Sequence, residues 1–152
     1  IISFFGIIDR SNEEFLSILA ENFGLTSARM WEAVYSLHSL ELVDLYESEI
    51  VKISDQVLAT YLFFKCFIRD QLLSFSTLLE NYFYQLPNKF KEALYPAINT
   101  FDREYVISRI QPSIDEHWRI IERDNENWLK FANAFWFHYF GIFCPAKVFL
   151  FA

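Results

Sequence analysis

Three histidines, two cysteines and a scatter of paired carboxylates are the residues of this chain whose types could carry chemistry. His38, His117 and His138 lie far apart and have no second ligand at metal-binding spacing, so each is expected on an ordinary helix face rather than on a metal or at a proton-transfer site. Cys66 and Cys144 are isolated as well and read as reduced, small hydrophobes. Asp115/Glu116 and Glu122/Glu126 are the acid pairs with the spacing of a carboxylate site, and surface charge accounts for both. No serine or cysteine stands in a nucleophile-elbow context. With glycine only at 6, 24 and 141, no phosphate-cradling loop can be built. The expectation is a chain with no catalytic residues, no metal and no cofactor of its own.

The charge is uneven. Residues 1–62 carry three bases (Arg10, Arg29, Lys52) against ten acids, whereas residues 63–152 carry ten of each, so the whole net charge of −7 sits in the first part. A surface of that sign repels a phosphate backbone. Hydrophobic residues make up 53% of the chain and aromatics 20%, including 18 Phe, which excludes intrinsic disorder and leaves apolar surface to spare for a partner. The opening IISFFGII has neither the basic leader nor the cleavage site of a signal peptide. A cytoplasmic location is expected, and the chain reads as a fragment of something longer.

The elements that must position these residues follow from apolar spacing and caps. Ser11 or Asn12 caps a helix running to about Phe23, which Gly24 ends. Thr26 or Ser27 caps a second helix to about Leu40, with Met30, Val34 and Leu37 facing inward and Trp31 and Tyr35 alongside. LVDLY and EIVKI alternate like two short strands joined through Glu47-Ser48-Glu49, a turn without glycine. Ser54 then caps a further helix with Asp55 in its first turn, and QVLATYLFFKCFIRD is apolar almost all round. Helices are expected at about 74–86, 88–98 and 102–110, punctuated by Pro87 and Pro96, and Pro112 opens a long one. Along it Ile114, Trp118, Ile121, Asn125, Trp128, Ala132 and Phe135 recur at alternating steps of four and three. That is the seam of a helix meeting another helix, in this chain or in a partner. The apolar tail 131–152 approaches the roughly 20 residues that span a bilayer. Asn133, His138, Pro145 and Lys147 interrupt it, which favours packing on protein over membrane insertion.

The sequence thus predicts a mainly α protein: a winged-helix-like module over 1–67 with a short β-hairpin wing, then a helical bundle over 68–152 ending in an aromatic helix. Leu19-Ala20, Leu25, Leu37, Leu40 and Leu42-Val43 form the apolar skeleton of the helix–turn–helix. A DNA reader needs Arg, Lys, Asn or Gln on its second helix. This one offers Arg29 with Glu32 and Glu41 nearby, and the wing tip is Glu-Ser-Glu, so nucleic acid is an improbable partner.

On these features residues 1–67 resemble the winged-helix segment that follows the nucleotide-binding core of STAND-type NTPases, a branch of the AAA+ class with NACHT and NB-ARC members. In VKISDQVLATYLF, Ile53-Ser54-Asp55 occupy the stretch where those proteins carry a Met-His-Asp-like motif opening a helix. The resemblance implies that the motif's His senses nucleotide and its Asp fixes the turn; here Ser54 replaces the His and the capping role remains. It implies a non-catalytic relay and docking segment of a larger signalling ATPase, in bacterial defence or stress signalling, with protein as its partner and Ser54 and Asp55 as its site. The alternatives are an acidic winged-helix transcriptional regulator and a membrane-associated helical protein anchored by 131–152.

Overall fold

The computed structural model describes residues 1–123 together with 140 and 141. The chain divides into two compact units, Ile1–Thr77 and Leu78–Ala152. Residue 67, the expected end of the first module, lies inside a π-helical turn, Phe64–Arg69, that continues a helix of the first unit.

The first unit runs α1 (Ile2–Phe5), β1 (Ile7–Asp9), α2 (Glu13–Phe23), α3 (Ser27–Ser39), β2 (Asp44–Tyr46), β3 (Ile50–Lys52) and α4 (Gln56–Phe63), which passes into the π-helical turn. The sheet has three antiparallel strands in the order β1-β3-β2. Two of these are the expected hairpin. The third, β1, lies within the apolar opening, where three residues are too few to show an alternation. Flanking backbone bonds lengthen its ladder: Ile53 N–H donates to the Gly6 carbonyl (3.1 Å) and Arg10 N–H to the Glu49 carbonyl (2.8 Å).

Phenylalanine fills this core. Phe4 stacks on Phe63 (centroids 6.2 Å apart), Phe63 lies against Phe67 (5.3 Å), Phe23 meets Phe67 edge-on, and Phe5 meets Phe15 the same way. Leu19, Val51 and Ile68 are buried with them. Ring pairs in these offset and edge-on arrangements add to the burial energy of the rings themselves. The aromatic surplus is thus partly absorbed by the unit's own interior.

Helix ends follow their residues. Asn12 is the N-cap of α2, its side chain accepting from Phe15 N–H, and Gly24 closes that helix in the left-handed region at φ 63°. α3 ends in a Schellman arrangement, Leu42 N–H donating to the Leu37 carbonyl and Glu41 N–H to that of His38. The left-handed position there is Glu41, at φ 58°, where glycine would be unstrained.

The second unit contains α5's C-terminal part (the helix spans Phe75–Tyr82), α6 (Pro87–Thr100) and α7 (Arg103–Arg123). α6 packs along α7. Phe83 is the centre of its aromatic core, with Phe90 and Phe140 each at 5.5 Å. Three expectations need correction here. The helix expected over 74–86 stops at Tyr82. Pro96 lies inside α6 rather than near its end. Pro112 opens nothing: α7 begins at Arg103, just after Asp102, whose Oδ1 accepts from Tyr105 N–H (2.6 Å), and runs through Pro112 without a break. Pro112 and Ser108 are both exposed, so the Ser108 carbonyl that loses its helical donor lies on the wet side of the helix.

Candidate functional site

The expected helix–turn–helix and wing fall on α2, α3 and the β2–β3 hairpin. Thr26 caps α3, its hydroxyl oxygen accepting from Arg29 N–H. The helix is anchored by one residue, Trp31, which is 4% exposed, while Met30, Val34 and Leu37 are only half-buried. The expected inward face is therefore centred on the tryptophan rather than flanked by it. Leu19 and Val43 of the expected skeleton are buried and Leu25 and Leu37 half-buried, but Leu40 is 66% exposed.

Arg10 sits over Trp31, its guanidinium carbon 5.3 Å from the ring centroid, and its Nη1 donates to the Tyr35 hydroxyl oxygen (3.2 Å). A guanidinium over an indole face is attracted by the ring quadrupole. One of the three bases of residues 1–62 is thereby committed to holding α3 against the end of β1. Trp31 Nε1 has no acceptor among the described residues. Arg29 is the single Arg or Lys of α3, and Glu32 is exposed beside it. An open cleft of about 420 Å³ is lined by Arg10, Glu13, Leu16, Ser17, Ala20 and Ser27. Its polar lining is one base, one acid and two serine hydroxyls.

The hairpin closes by an unusual route. Glu47 (φ 50°) and Ser48 (φ 59°) are both left-handed, and Glu49 N–H donates to the Tyr46 carbonyl (3.0 Å). Two-residue turns of this hand match the twist of the strands, although glycine and asparagine are their usual occupants. Glu41, Asp44, Glu47 and Glu49 are all exposed.

Ser54 and Asp55 stand at the start of α4 in swapped roles from those expected. Asp55 is the N-cap, its Oδ1 accepting from Leu58 N–H (2.7 Å). Ser54 precedes the cap and donates its hydroxyl to Asp44 Oδ2 (2.6 Å), tying α4's entry to β2. The reason is geometric: an extended residue whose side-chain oxygen reaches the N–H three positions on makes the cap, and that register falls on Asp55.

Ile114, Trp118 and Ile121 of the expected seam are buried at 0%, 3% and 4%. Trp128 and Phe135 lie outside the described residues, as do His138, Cys144, Glu126 and the tail 131–152. His38 Nδ1 is 3.0 Å from the Val43 carbonyl oxygen, a tie across the end of α3. His117 is buried beside Phe83 and Tyr84, and burial pushes its pKa down to about 4. Cys66 is a half-buried free thiol. Gln111 donates to Asp115 and Arg119 pairs with Glu116, so the first acid pair is engaged in helix-surface contacts. Asp9 takes bonds from the Ser11 hydroxyl and N–H, which hold its carboxyl below the usual range; Arg69 does the same for Asp70. Among the described residues no three His, Cys, Asp or Glu side chains group as a metal site, and no described helix is long and apolar enough to cross a membrane.

Arg10 and Tyr35 are what sequence reasoning missed. The signal available was scarcity, since a lone base in an acidic stretch next to aromatic residues tends to find them. No family model matches the chain, and neither a curated protein nor a solved structure is similar to it.

Proposed function

We propose that residues 1–67 form a winged-helix module whose work is to dock protein, as the non-catalytic relay of a larger signal-transducing ATPase of the STAND type, in the cytoplasm and in bacterial defence. The order α1-β1-α2-α3-β2-β3, with β1 lying on the far side of β3 from β2, supports the winged-helix part. It is the arrangement in which a helix–turn–helix is followed by a hairpin that recruits a strand from ahead of it.

The observation that carries the docking part is the state of α3. This helix presents most of its surface to solvent, yet Arg29 is its one Arg or Lys, and the nearby Arg10 is held on Trp31 and Tyr35. Duplex affinity is built from cationic contacts with phosphate. A module that displays α3 without them suits a protein surface better than a nucleic acid. Asp55 as cap and Ser54 as its tie to β2 make the β3–α4 connection a fixed joint, which suits a segment that passes motion rather than performs chemistry.

Three measurements test this. In the coding DNA, an in-frame phosphate loop and acidic strand upstream are expected; a start codon directly before Ile1 and a stop directly after Ala152 overturn the relay. In a gel-shift series at low salt, no retardation of a random duplex is expected. Retardation that vanishes steeply with salt overturns protein docking in favour of a transcriptional regulator, and partition of the chain into detergent micelles overturns it in favour of a membrane-associated protein.

A further inference from the structure

The outer face of the three-stranded sheet departs from the rule that the solvent side of an antiparallel sheet is polar. The register aligns Ile7, Lys52 and Asp44 in one row and Asp9, Ile50 and Tyr46 in the next, with all six side chains on the face opposite the core. Ile8 and Val51 between these rows are buried, which fixes the sidedness. Three of the six outward residues are large and apolar, and they are open: Ile7 is 54% exposed, Tyr46 50% and Ile50 39%. Ile50 on the central strand is the direct cross-strand neighbour of Tyr46 and the diagonal neighbour of Ile7, so it joins the two outer strands' apolar side chains into one oblique stripe.

The border of this patch is acidic. Asp9 and Asp44 lie within it and exposed Glu47 and Glu49 stand at the hairpin tip, with Lys52 as the one base of the sheet. A phosphate backbone and an anionic lipid surface are both repelled by such a border, and a second copy of the face would bring acid against acid.

We propose that the outer face of β1-β3-β2 binds a basic amphipathic segment of a partner protein, apolar side chains seating on Ile7, Tyr46 and Ile50 and Lys or Arg side chains reaching the acids around them. This rests on the protein-docking reading and adds to it which surface docks and what chemistry it takes. A tyrosine within the stripe fits the composition of interface cores, and the acid border supplies orientation and on-rate more than affinity.

The test is fluorescence anisotropy of the full chain with a labelled short peptide alternating leucine and lysine, and with a leucine–glutamate peptide as the control. Micromolar binding of the first that weakens with added salt is expected, with at least about a hundredfold weaker binding of the second. The triple substitution Ile7→Ser, Tyr46→Ser, Ile50→Ser should weaken binding by about tenfold or more. Tyr46→Ser alone, which leaves both strands' isoleucines in place, should weaken it severalfold if the triple variant fails to fold. Glu47→Gln with Glu49→Gln should weaken it severalfold, whereas Glu13→Gln with Glu14→Gln, which removes the same charge from α2, should leave it within twofold. No binding of the leucine–lysine peptide, unchanged binding by Tyr46→Ser, or equal effects of the two glutamate pairs each overturn the proposal. The coding context upstream bears on the parent ATPase alone, so the two readings fail separately.

Discussion

Removing the Asp55 carboxylate separates a cap from a bystander within one dipeptide. Four N–H groups at the start of α4 lack helical acceptors, and Asp55 Oδ1 satisfies that of Leu58 at 2.7 Å. Loss of such a cap costs about 1 kcal/mol, and the anion at the positive end of the helix contributes roughly 0.3–1 kcal/mol more. Asp55 is exposed, which puts the second term at its low end, so Asp55→Ala should cost about 1.5 kcal/mol. Asp55→Asn keeps an acceptor in place and should cost less than about 0.5 kcal/mol. Ser54→Ala loses a hydroxyl bond to Asp44 between two exposed side chains, worth about 0.5 kcal/mol. Urea unfolding followed by far-UV circular dichroism gives the ranking, and amide exchange at Leu58 reports the cap directly, with faster exchange in Asp55→Ala and native exchange in Ser54→Ala. If Ser54→Ala costs more than Asp55→Ala, or Asp55→Ala costs under about 0.3 kcal/mol, the assignment of the cap is wrong and the reasoning from Leu58 with it.

The same physics gives three further expectations. Pro112→Ala restores a donor inside α7 and should stabilise the chain by about 1–3 kcal/mol in urea unfolding; a loss of stability would mean that a helix does begin at Pro112 after all. Gly24 and Glu41 hold equivalent left-handed positions after α2 and α3, so Gly24→Ala should cost about 1 kcal/mol and Glu41→Gly should gain about 0.5 kcal/mol, both read as shifts in the urea midpoint. A Cβ at Gly24 meets nothing within 4 Å, so its cost is one of backbone alone, and a neutral Gly24→Ala contradicts that account. His117 is neutral when buried and binds its proton at about 4 in the folded chain against about 6.5 unfolded, so the unfolded state takes up the proton first. Stability should be fully present above pH 6.5 and fall as pH drops toward 4, by roughly 3 kcal/mol in all; His117→Phe should flatten this window, and an unchanged pH profile in that variant would reject the assignment.

Much of the first unit was legible because its signals are local. Asn12, Gly24 and Thr26 mark helix ends by chemistry that acts within three residues, and the alternation of LVDLY and EIVKI survives without a glycine turn. The chain manages that turn by holding Glu47 and Ser48 left-handed, a conformation their side chains do not advertise. β1 was hidden because three residues carry no period, and its pairing partners lie more than forty positions away. The cap at α4 was misassigned by one residue since Ser and Asp are equally good caps, and only the β3 register decides between them. Pro112 misled for a related reason: proline is common at a helix start, and only solvent on its side of α7 makes the interior position tolerable. Ser54 and Asp55 were placed at a helix start from sequence, but the Arg10–Trp31–Tyr35 cluster was not legible, because cation–π contacts between residues twenty or more apart leave no spacing to read.

Arg10 also has a mechanical meaning. Its backbone N–H holds the base of β3 through the Glu49 carbonyl, while its side chain holds α3 through Trp31 and Tyr35. One residue thus rivets the strand, the hairpin and the helix at a single point outside the phenylalanine interior. At the other end of the hairpin Ser54 adds a second tie, its hydroxyl bond to Asp44 pinning the entry of α4 to β2, so the sheet is fastened to a helix on either side.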